Sequence, residues 1–276
     1  MSNTNTTALP KIKDQNLGNS GLKVSKVILE YMSYGSPESL PLLKHACDCG
    51  INTWDTADGY SNGVSEENSS GKRPEYTTST IEGNGTQPPA SAALENDGEN
   101  VNLVDLSRKH IFDAVEASVK RLGTYIHVLQ IHRLDRATPK KEIMRALNDV
   151  VEKGWVSRGG DHSVVADRSR GTVTTMGERT TVREKADPGL KRLVRSSEDA
   201  ADKATIDRVE GAAKKHGVSM TCIATSWSIK QGHCPIIGLN SKERIEEAVH
   251  NSEFQLSDED AKYLEEPYVP KAVIRL

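Results

Sequence analysis

Ile51-Asn52-Thr53-Trp54-Asp55-Thr56-Ala57-Asp58-Gly59-Tyr60 is the stretch that decides the fold. A short apolar run leads to a carboxylate, and a phenol follows five residues later in a segment that favours a turn. The pattern predicts a β-strand that carries Asp55 at its end and a loop that carries Tyr60, at the edge of an α/β fold where ligands bind. The alternative, for these ten residues alone, is an ordinary strand and turn with a surface tyrosine.

A second apolar run brings a histidine to the same kind of position. Apolar residues at helical spacing predict a helix from Ser107 to Leu122, with Ser107 as its N-cap and Gly123 as its stop. A strand over 125–131 follows, and His132 stands at its carboxyl end. Since the carboxyl ends of barrel strands share one face, His132 is expected at the same barrel mouth as the carboxylate and the phenol. A purely structural histidine is the alternative.

Together these motifs resemble those of the aldo-keto reductase superfamily. Asp55, Tyr60 and His132 match three members of its catalytic tetrad. Residues 16–25 resemble the family's opening before the first barrel strand, and residues 235–245 resemble its last strand and the helix that binds the 2′-phosphate of NADPH. The resemblance points to the branch of fungal aryl-alcohol dehydrogenases and norsolorinic-acid-reductase-like proteins, with internal deletions in this chain.

The resemblance implies an NADPH-dependent oxidoreductase that reduces an aldehyde or ketone in fungal secondary-metabolite biosynthesis. Tyr60 would donate the proton to the carbonyl oxygen, Asp55 would orient and charge-balance the lysine of the tetrad, and His132 would bind and orient the substrate. The residues implied for cofactor binding are Asp55, Ser163, Gly238, Asn240, Ser241 and Arg244.

The binding site predicted for the adenosine 2′-phosphate also has a physical basis that is independent of the resemblance. Ser241 is a predicted N-cap, and a helix start offers free amides to a phosphate. Arg244, one turn further, would pair with the 2′-phosphate, which favours NADPH over NADH. The alternative is a solvated helix start without a ligand.

The chain departs from the family pattern at two places in the site. In the family, a lysine at the end of the third strand pairs with the aspartate and lowers the pKa of the tyrosine. We find no apolar strand ending in lysine within 66–104, and Lys72 follows Gly71 where a helix is expected, so it is a poor substitute. In addition, Glu30 and Tyr31 replace the glycine and small residue that the family places beside the nicotinamide. These losses favour a second hypothesis, a catalytically impaired or inactive binding or assembly protein derived from such an enzyme.

The predicted fold class is α/β, a (β/α)8 TIM barrel of aldo-keto reductase type. We expect one domain over residues 1–276, in which only about six of the eight strands are recognisable. Residues 68–104 and 155–190 contain few large apolar side chains, so they are predicted to form irregular or disordered insertions.

Composition limits the classes of partner. The 276 residues suffice for one barrel of typical size, and the net charge is −3 with acidic and basic residues interspersed. Neither nucleic acid nor a membrane is therefore expected as a partner, and the chain has no apolar run of about 20 residues. No signal peptide is recognised, which predicts a cytoplasmic protein. The spacing of the cysteines does not suggest a metal site. The oligomeric state is not legible from the sequence.

Overall fold

The computed structural model describes residues 9–32, 34, 39–70, 76–81, 102–103, 105–131, 134–157 and 200–269. The strands in these residues are β1 (Asp14–Asn16), β2 (Lys23–Ser25), β3 (Ile28–Glu30), β4 (Thr53–Ala57), β5 (Tyr76–Ile81), β6 (Val128–Ile131) and β7 (Ile236–Ile237). The helices are α1 (Leu40–Asp48), α2 (Val64–Ser69), α3 (Arg108–Leu122), α4 (Lys140–Glu152), α5 (Ala200–His216), α6 (Met220–Lys230), α7 (Lys242–Asn251) and α8 (Asp258–Glu265).

A parallel sheet in the order β6-β5-β4-β3-β7 forms the centre of the first of two compact units. From β3 to β6, consecutive strands are neighbours joined by a helix, and β7 pairs with β3. This pairing of a late strand with the first one is the connectivity of a (β/α) barrel. A parallel bridge between Ile126 and Val156 lies outside the named strands, next to the start of β6. The antiparallel hairpin of β1 and β2 precedes the sheet.

The two faces of the sheet differ in chemistry. Leu29 and Trp54 are register partners on β3 and β4, and both belong to a buried hydrophobic cluster with Leu43 of α1. Because side chains alternate along a strand, the next register pair, Glu30 and Asp55, points to the opposite face. The helices therefore cover the apolar face, and the polar residues are directed to the interior face of the barrel.

The six residues of β5 correct one prediction. They lie inside 68–104, a segment for which we expected irregular structure, yet they pair in parallel with β4 on one side and β6 on the other. Four of the six are threonine or serine, so the strand shows no hydrophobic pattern, although threonine favours extended backbone. The hydrogen bonds to the two apolar strands that flank it stabilise β5, although its own sequence has no strand pattern. Most of the other residues of 68–104 and 155–190 lie outside the described part of the chain.

The second unit comprises the described residues 200–232 and 250–269. Its apolar core joins residues of α5, α6 and α8, among them Ala212, Ile223 and Leu264. At the start of α8, Asp260 accepts hydrogen bonds from the Lys215 ammonium (2.7 Å) and the Ser257 hydroxyl (2.8 Å). These bonds, that from Lys215 above all, lower the pKa of Asp260 to about 2. The unit thus has a hydrophobic core and, beside it, a salt bridge between Lys215 and Asp260.

Two broader expectations stay predictions: the single domain over 1–276 and the number of barrel strands in the whole chain.

The helices were also compared with the requirements for a membrane-spanning helix. In the described part of the chain, every helix falls short of the length and apolarity that crossing a membrane requires.

Candidate active site

Asp55 lies in the buried centre of the sheet. All five residues of β4 are buried, and Asp55 itself is fully inaccessible to solvent. Its Oδ1 accepts a hydrogen bond of 2.9 Å from the amide nitrogen Nε2 of Gln130. Gln130 is on β6, so this bond passes from β6 to β4 over the strand between them, β5. A buried carboxylate needs such donors, since an unpartnered buried charge is very costly.

Tyr60 begins the turn that follows β4. The phenol is buried, with 8% of the residue exposed, which excludes the alternative of a surface tyrosine. The turn Tyr60–Gly63 is a 3-10 segment in which Ser61 and Asn62 both have positive φ angles, of 50° and 55°. Two successive non-glycine residues in this region are strained, and such strain is frequent at functional sites. The prediction that a loop beyond β4 carries this phenol is confirmed.

Two sequence-predicted site residues, His132 and Ser163, lie outside the described residues. The strand before His132 is present as β6, four residues long and buried throughout. The roles assigned to His132 and Ser163 therefore stay predictions. The contact of Gln130 with Asp55 was not predicted, although the sequence contained one indication of it. Gln130 is the only polar residue within β6 and stands two positions before His132 in the sequence, a spacing at which residues of one strand are expected to share a side.

No lysine occurs in β5, the third strand of the series that begins with β3 and β4. Along the sequence the nearest lysines are Lys72, before the strand and outside the described residues, and Lys109, in α3. Gln130 reaches across the position of β5 with a neutral amide. The Asp55 carboxylate thus accepts from an amide across this strand, whereas the family pattern places a cation beside the aspartate.

Tyr31 corrects the expectation that it lies beside the nicotinamide. It is fully buried in the cluster that packs against α1, and its ring stacks on Trp54 with 5.4 Å between the centroids. Burial raises the pKa of its hydroxyl. Because Tyr31 follows Glu30, its side chain points to the helix-covered face, as the alternation of the strand requires. It therefore takes no space at the barrel interior.

Glu30 remains at the interior face. It is half-buried and pairs in register with Asp55 on one side. On the other side, a Cβ built on Gly238 would lie 3.4 Å from Oε2 of Glu30. The carboxylate of Glu30 therefore lies against the backbone that follows β7. This is the backbone to which the family resemblance assigns cofactor binding.

The helix after β7 has the features of an anion site. Oγ of Ser241 accepts a hydrogen bond of 3.3 Å from the amide of Arg244, which confirms Ser241 as the cap of α7. A backbone amide hydrogen bond and the Ser241 hydroxyl lower the pKa of Glu243 in the first turn, so this helix start stabilises a negative charge. Asn240 and Arg244 are exposed. These residues fit a phosphate, whereas Glu30 is an unfavourable neighbour for a dinucleotide.

A metal centre is a different possibility for clustered acids and histidines. Among the described residues, no group of three or more histidine, cysteine, aspartate or glutamate side chains is arranged to hold a metal ion.

Comparison with known proteins assigns this arrangement to one family. The family model described as "Aldo/keto reductase family" matches residues 29–160 and 172–268. The chain is 42% identical to versiconal hemiacetal acetate reductase of Aspergillus parasiticus, over 93% of this chain and 97% of that protein. It is 35% identical to the putative aryl-alcohol dehydrogenase AAD16 of Saccharomyces cerevisiae, over 94% and 98% of the two chains.

Solved structures give the same fold. A thermostable aldo-keto reductase, Tm1743, aligns with a TM-score of 0.65 at 20% identity and covers 93% of this chain and 100% of its own. The sheet order described above is accordingly part of a TIM-barrel type of fold. The alignment to the Aspergillus protein runs over 333 positions, more than the 276 residues of this chain, which therefore carries internal deletions relative to that protein.

Proposed function

This chain belongs to the aldo/keto reductase family, and from that premise we propose that it reduces an aldehyde or ketone with NADPH. The observation that carries the proposal is the arrangement of one residue of β4 and one residue of the turn that follows it. Asp55 is fully buried on the interior face of the sheet, and Tyr60 is buried in a strained turn directly beyond it. A carboxylate and a phenol held in this way are suited to proton donation in a site that excludes water.

The chemistry divides between the chain and its cofactor. NADPH, when bound, supplies a hydride to the carbonyl carbon. Tyr60 donates the proton that the carbonyl oxygen takes up, and His132 holds that oxygen by a hydrogen bond. Asp55 orients the proton donor, and Gln130 fixes the carboxylate of Asp55. Each of these residues comes from β4, β6 or the segment directly after one of them.

The charges at α7 support NADPH over NADH as the proposed cofactor. Ser241 and the first amides of the helix would hold the 2′-phosphate, with Asn240 and Arg244 beside it and Gly238 leaving room for the backbone to approach. We expect Arg244→Met to weaken NADPH binding by about 10- to 100-fold, the loss typical of a charged hydrogen bond, and to leave NADH binding unchanged. Titration of cofactor fluorescence measures both affinities.

Lys242→Met is the matched control for Arg244, because it removes a neighbouring exposed cation from the same helix turn. Its effect on NADPH affinity is expected to be less than about threefold, an order-of-magnitude limit for an exposed charge. An equal loss for the two variants, or an equal loss for NADPH and NADH, would argue for a solvated helix start instead.

Substitution of Glu30, at the nicotinamide end of the site, is expected to have the opposite effect on NADPH affinity. We expect Glu30→Gly to tighten NADPH binding about tenfold, because a carboxylate next to the cofactor repels its phosphates and loses hydration. The gain should be smaller for NADP⁺, whose oxidised ring carries a positive charge. Glu30→Gln keeps the size and removes the charge, so it separates repulsion from crowding. Calorimetric titration of the three proteins with both cofactor forms measures this, and a weaker affinity in the glycine variant would contradict it.

For the substrate, we propose an aromatic or polycyclic carbonyl compound of fungal secondary metabolism, reduced in the cytoplasm. Support comes from the names of relatives, a versiconal hemiacetal acetate reductase and a putative aryl-alcohol dehydrogenase.

A second candidate function is cofactor or ligand binding without turnover. It is favoured by a third strand without lysine and by the carboxylate of Glu30 at the interior face. The two candidates separate in one experiment, in which the protein is titrated with NADPH and then supplied with a panel of aromatic aldehydes and ketones. Saturable binding followed by loss of NADPH absorbance supports the reductase. Binding without turnover supports the second candidate, and absence of binding contradicts both.

A further inference from the structure

A buried ion pair lies beside the turn that carries Tyr60. Glu66, in α2, is fully buried, and its Oε2 accepts a hydrogen bond of 2.6 Å from Nε of Arg121 in α3. The arginine side chain is 25% exposed, and its Nη2 also donates to Oγ of Ser118 at 3.3 Å. A pair with one fully desolvated partner holds its geometry strongly, because separating the two groups removes the cation from a buried carboxylate.

The same arginine packs on the backbone of the turn. Gly63, the last residue of the turn, has a φ angle of +88°. A Cβ built on it would lie 2.7 Å from Cδ and 2.8 Å from Nε of Arg121. The aliphatic part of Arg121 thus occupies the space that any other residue at position 63 would need. Arg121 thus fixes the end of the turn by two interactions. It contacts Gly63, and it pairs with Glu66 three residues later.

The start of α2 is also tied to the sheet. Oγ of Ser65, which is buried, lies 3.1 Å from Oγ1 of Thr56 on β4 and donates to the carbonyl oxygen of Tyr31 at 3.2 Å. Ser61 and Asn62, between these anchors and Tyr60, keep positive φ angles that isolated peptides avoid. Strained backbone of this kind persists only where its surroundings determine it.

We propose that Arg121 is a positioning residue. With Glu66 and Gly63, it fixes the turn 60–63 and thereby the place from which the Tyr60 hydroxyl donates its proton. The catalytic consequence rests on the proposed reductase function, but the structural claim does not. In the wild type Arg121 acts through position, because its positive charge is balanced by the negative charge of Glu66. Loss of Arg121 should therefore reduce turnover without weakening NADPH binding.

The test compares Arg121→Met with Arg108→Met, a matched variant from the same helix. Arg108 pairs with Asp149, but both side chains are largely solvated, at 49% and 40% exposure. Hydrogen exchange of the amides of residues 60–66 is measured first. We expect it to accelerate at least about tenfold in Arg121→Met, an estimate for the opening of a locally anchored segment, and to stay unchanged in Arg108→Met.

Kinetics then test the consequence. We expect kcat of Arg121→Met to fall by about 10- to 100-fold, as for a misplaced catalytic group, with the NADPH dissociation constant unchanged. If the methionine variant does not fold, Arg121→Lys decides, because it keeps a cation for Glu66 but lacks the Nε donor and its contact with Gly63. Accelerated exchange in the lysine variant supports the proposal. Wild-type exchange of residues 60–66 in a folded variant overturns it, whether or not the protein turns over. Absence of turnover in the wild type contradicts the reductase function instead.

Discussion

Tyr60→Phe is expected to lower kcat for carbonyl reduction by a factor on the order of 10²–10⁴, the usual contribution of a positioned general acid. The phenylalanine ring fills the same buried space beyond β4, so the fold and the NADPH affinity should be retained. Only the proton that the carbonyl oxygen requires is removed. Steady-state kinetics with an aromatic aldehyde, together with a fluorescence titration of NADPH, measure the two quantities separately.

Tyr31→Phe is the matched control for this experiment. Tyr31 is also buried and directly follows the neighbouring strand β3, but its hydroxyl has no hydrogen-bond partner among the described residues. Its ring packs against Trp54 and Tyr34, contacts that phenylalanine preserves. We expect kcat within about twofold of the wild type, since a substitution that breaks no hydrogen bond and leaves no cavity has a small effect. A Tyr60→Phe variant as active as this control would remove Tyr60 from the mechanism.

The parts of the fold that the sequence predicts correctly are those with strong local patterns. The helix predicted from Ser107 is found as α3, with Oγ of Ser107 accepting from the amide of His110 and Gly123 in the left-handed conformation. Apolar spacing, a cap and a stop agree along this stretch, which is why its bounds could be predicted. A strand followed by a turn with Tyr60 was also predicted correctly, but β4 extends to Ala57, so Asp55 lies in the middle of the strand and not at its end as expected.

The parts that the sequence does not predict depend on contacts distant along the chain. β5 is a run of small polar residues that becomes a strand because β4 and β6 flank it. The bond from Gln130 to Asp55 joins residues 75 positions apart, and the pair of Arg121 and Glu66 joins residues 55 apart. The hydrophobic periodicity of a sequence does not indicate such pairings between distant residues. The expectation for Tyr31 was wrong because position relative to a family motif does not say which face of a strand a side chain takes.

Thr80→Lys is expected to increase kcat by about 100-fold, which would return part of the contribution that acid–base assistance usually makes. Thr80 is the register partner of Ala57 on β4 and of Gln130 on β6, so it lies at the carboxyl end of β5 between the two strands that hold the Asp55 contact. A cation introduced there would be attracted by the buried carboxylate of Asp55. A nearby cation also lowers the pKa of a phenol, which eases proton transfer near neutral pH. Because a phenol with a lower pKa loses its proton earlier, the falling alkaline limb of kcat should move to lower pH.

Thr80→Met is the control for this gain, because methionine has a similar length without the charge. The two variants differ in one property, so a faster lysine variant with a displaced alkaline limb identifies the charge as the cause. If both variants match the wild type in kcat and pH profile while remaining folded and NADPH-bound, the absence of a lysine from β5 is not what limits turnover. The neutral amide of Gln130 would then suffice to hold Asp55, and Glu30 at the cofactor side would be the substitution that sets the rate. Combining Thr80→Lys with Glu30→Gly separates these cases, because effects of independent sites add in free energy whereas effects of one shared electrostatic cluster do not.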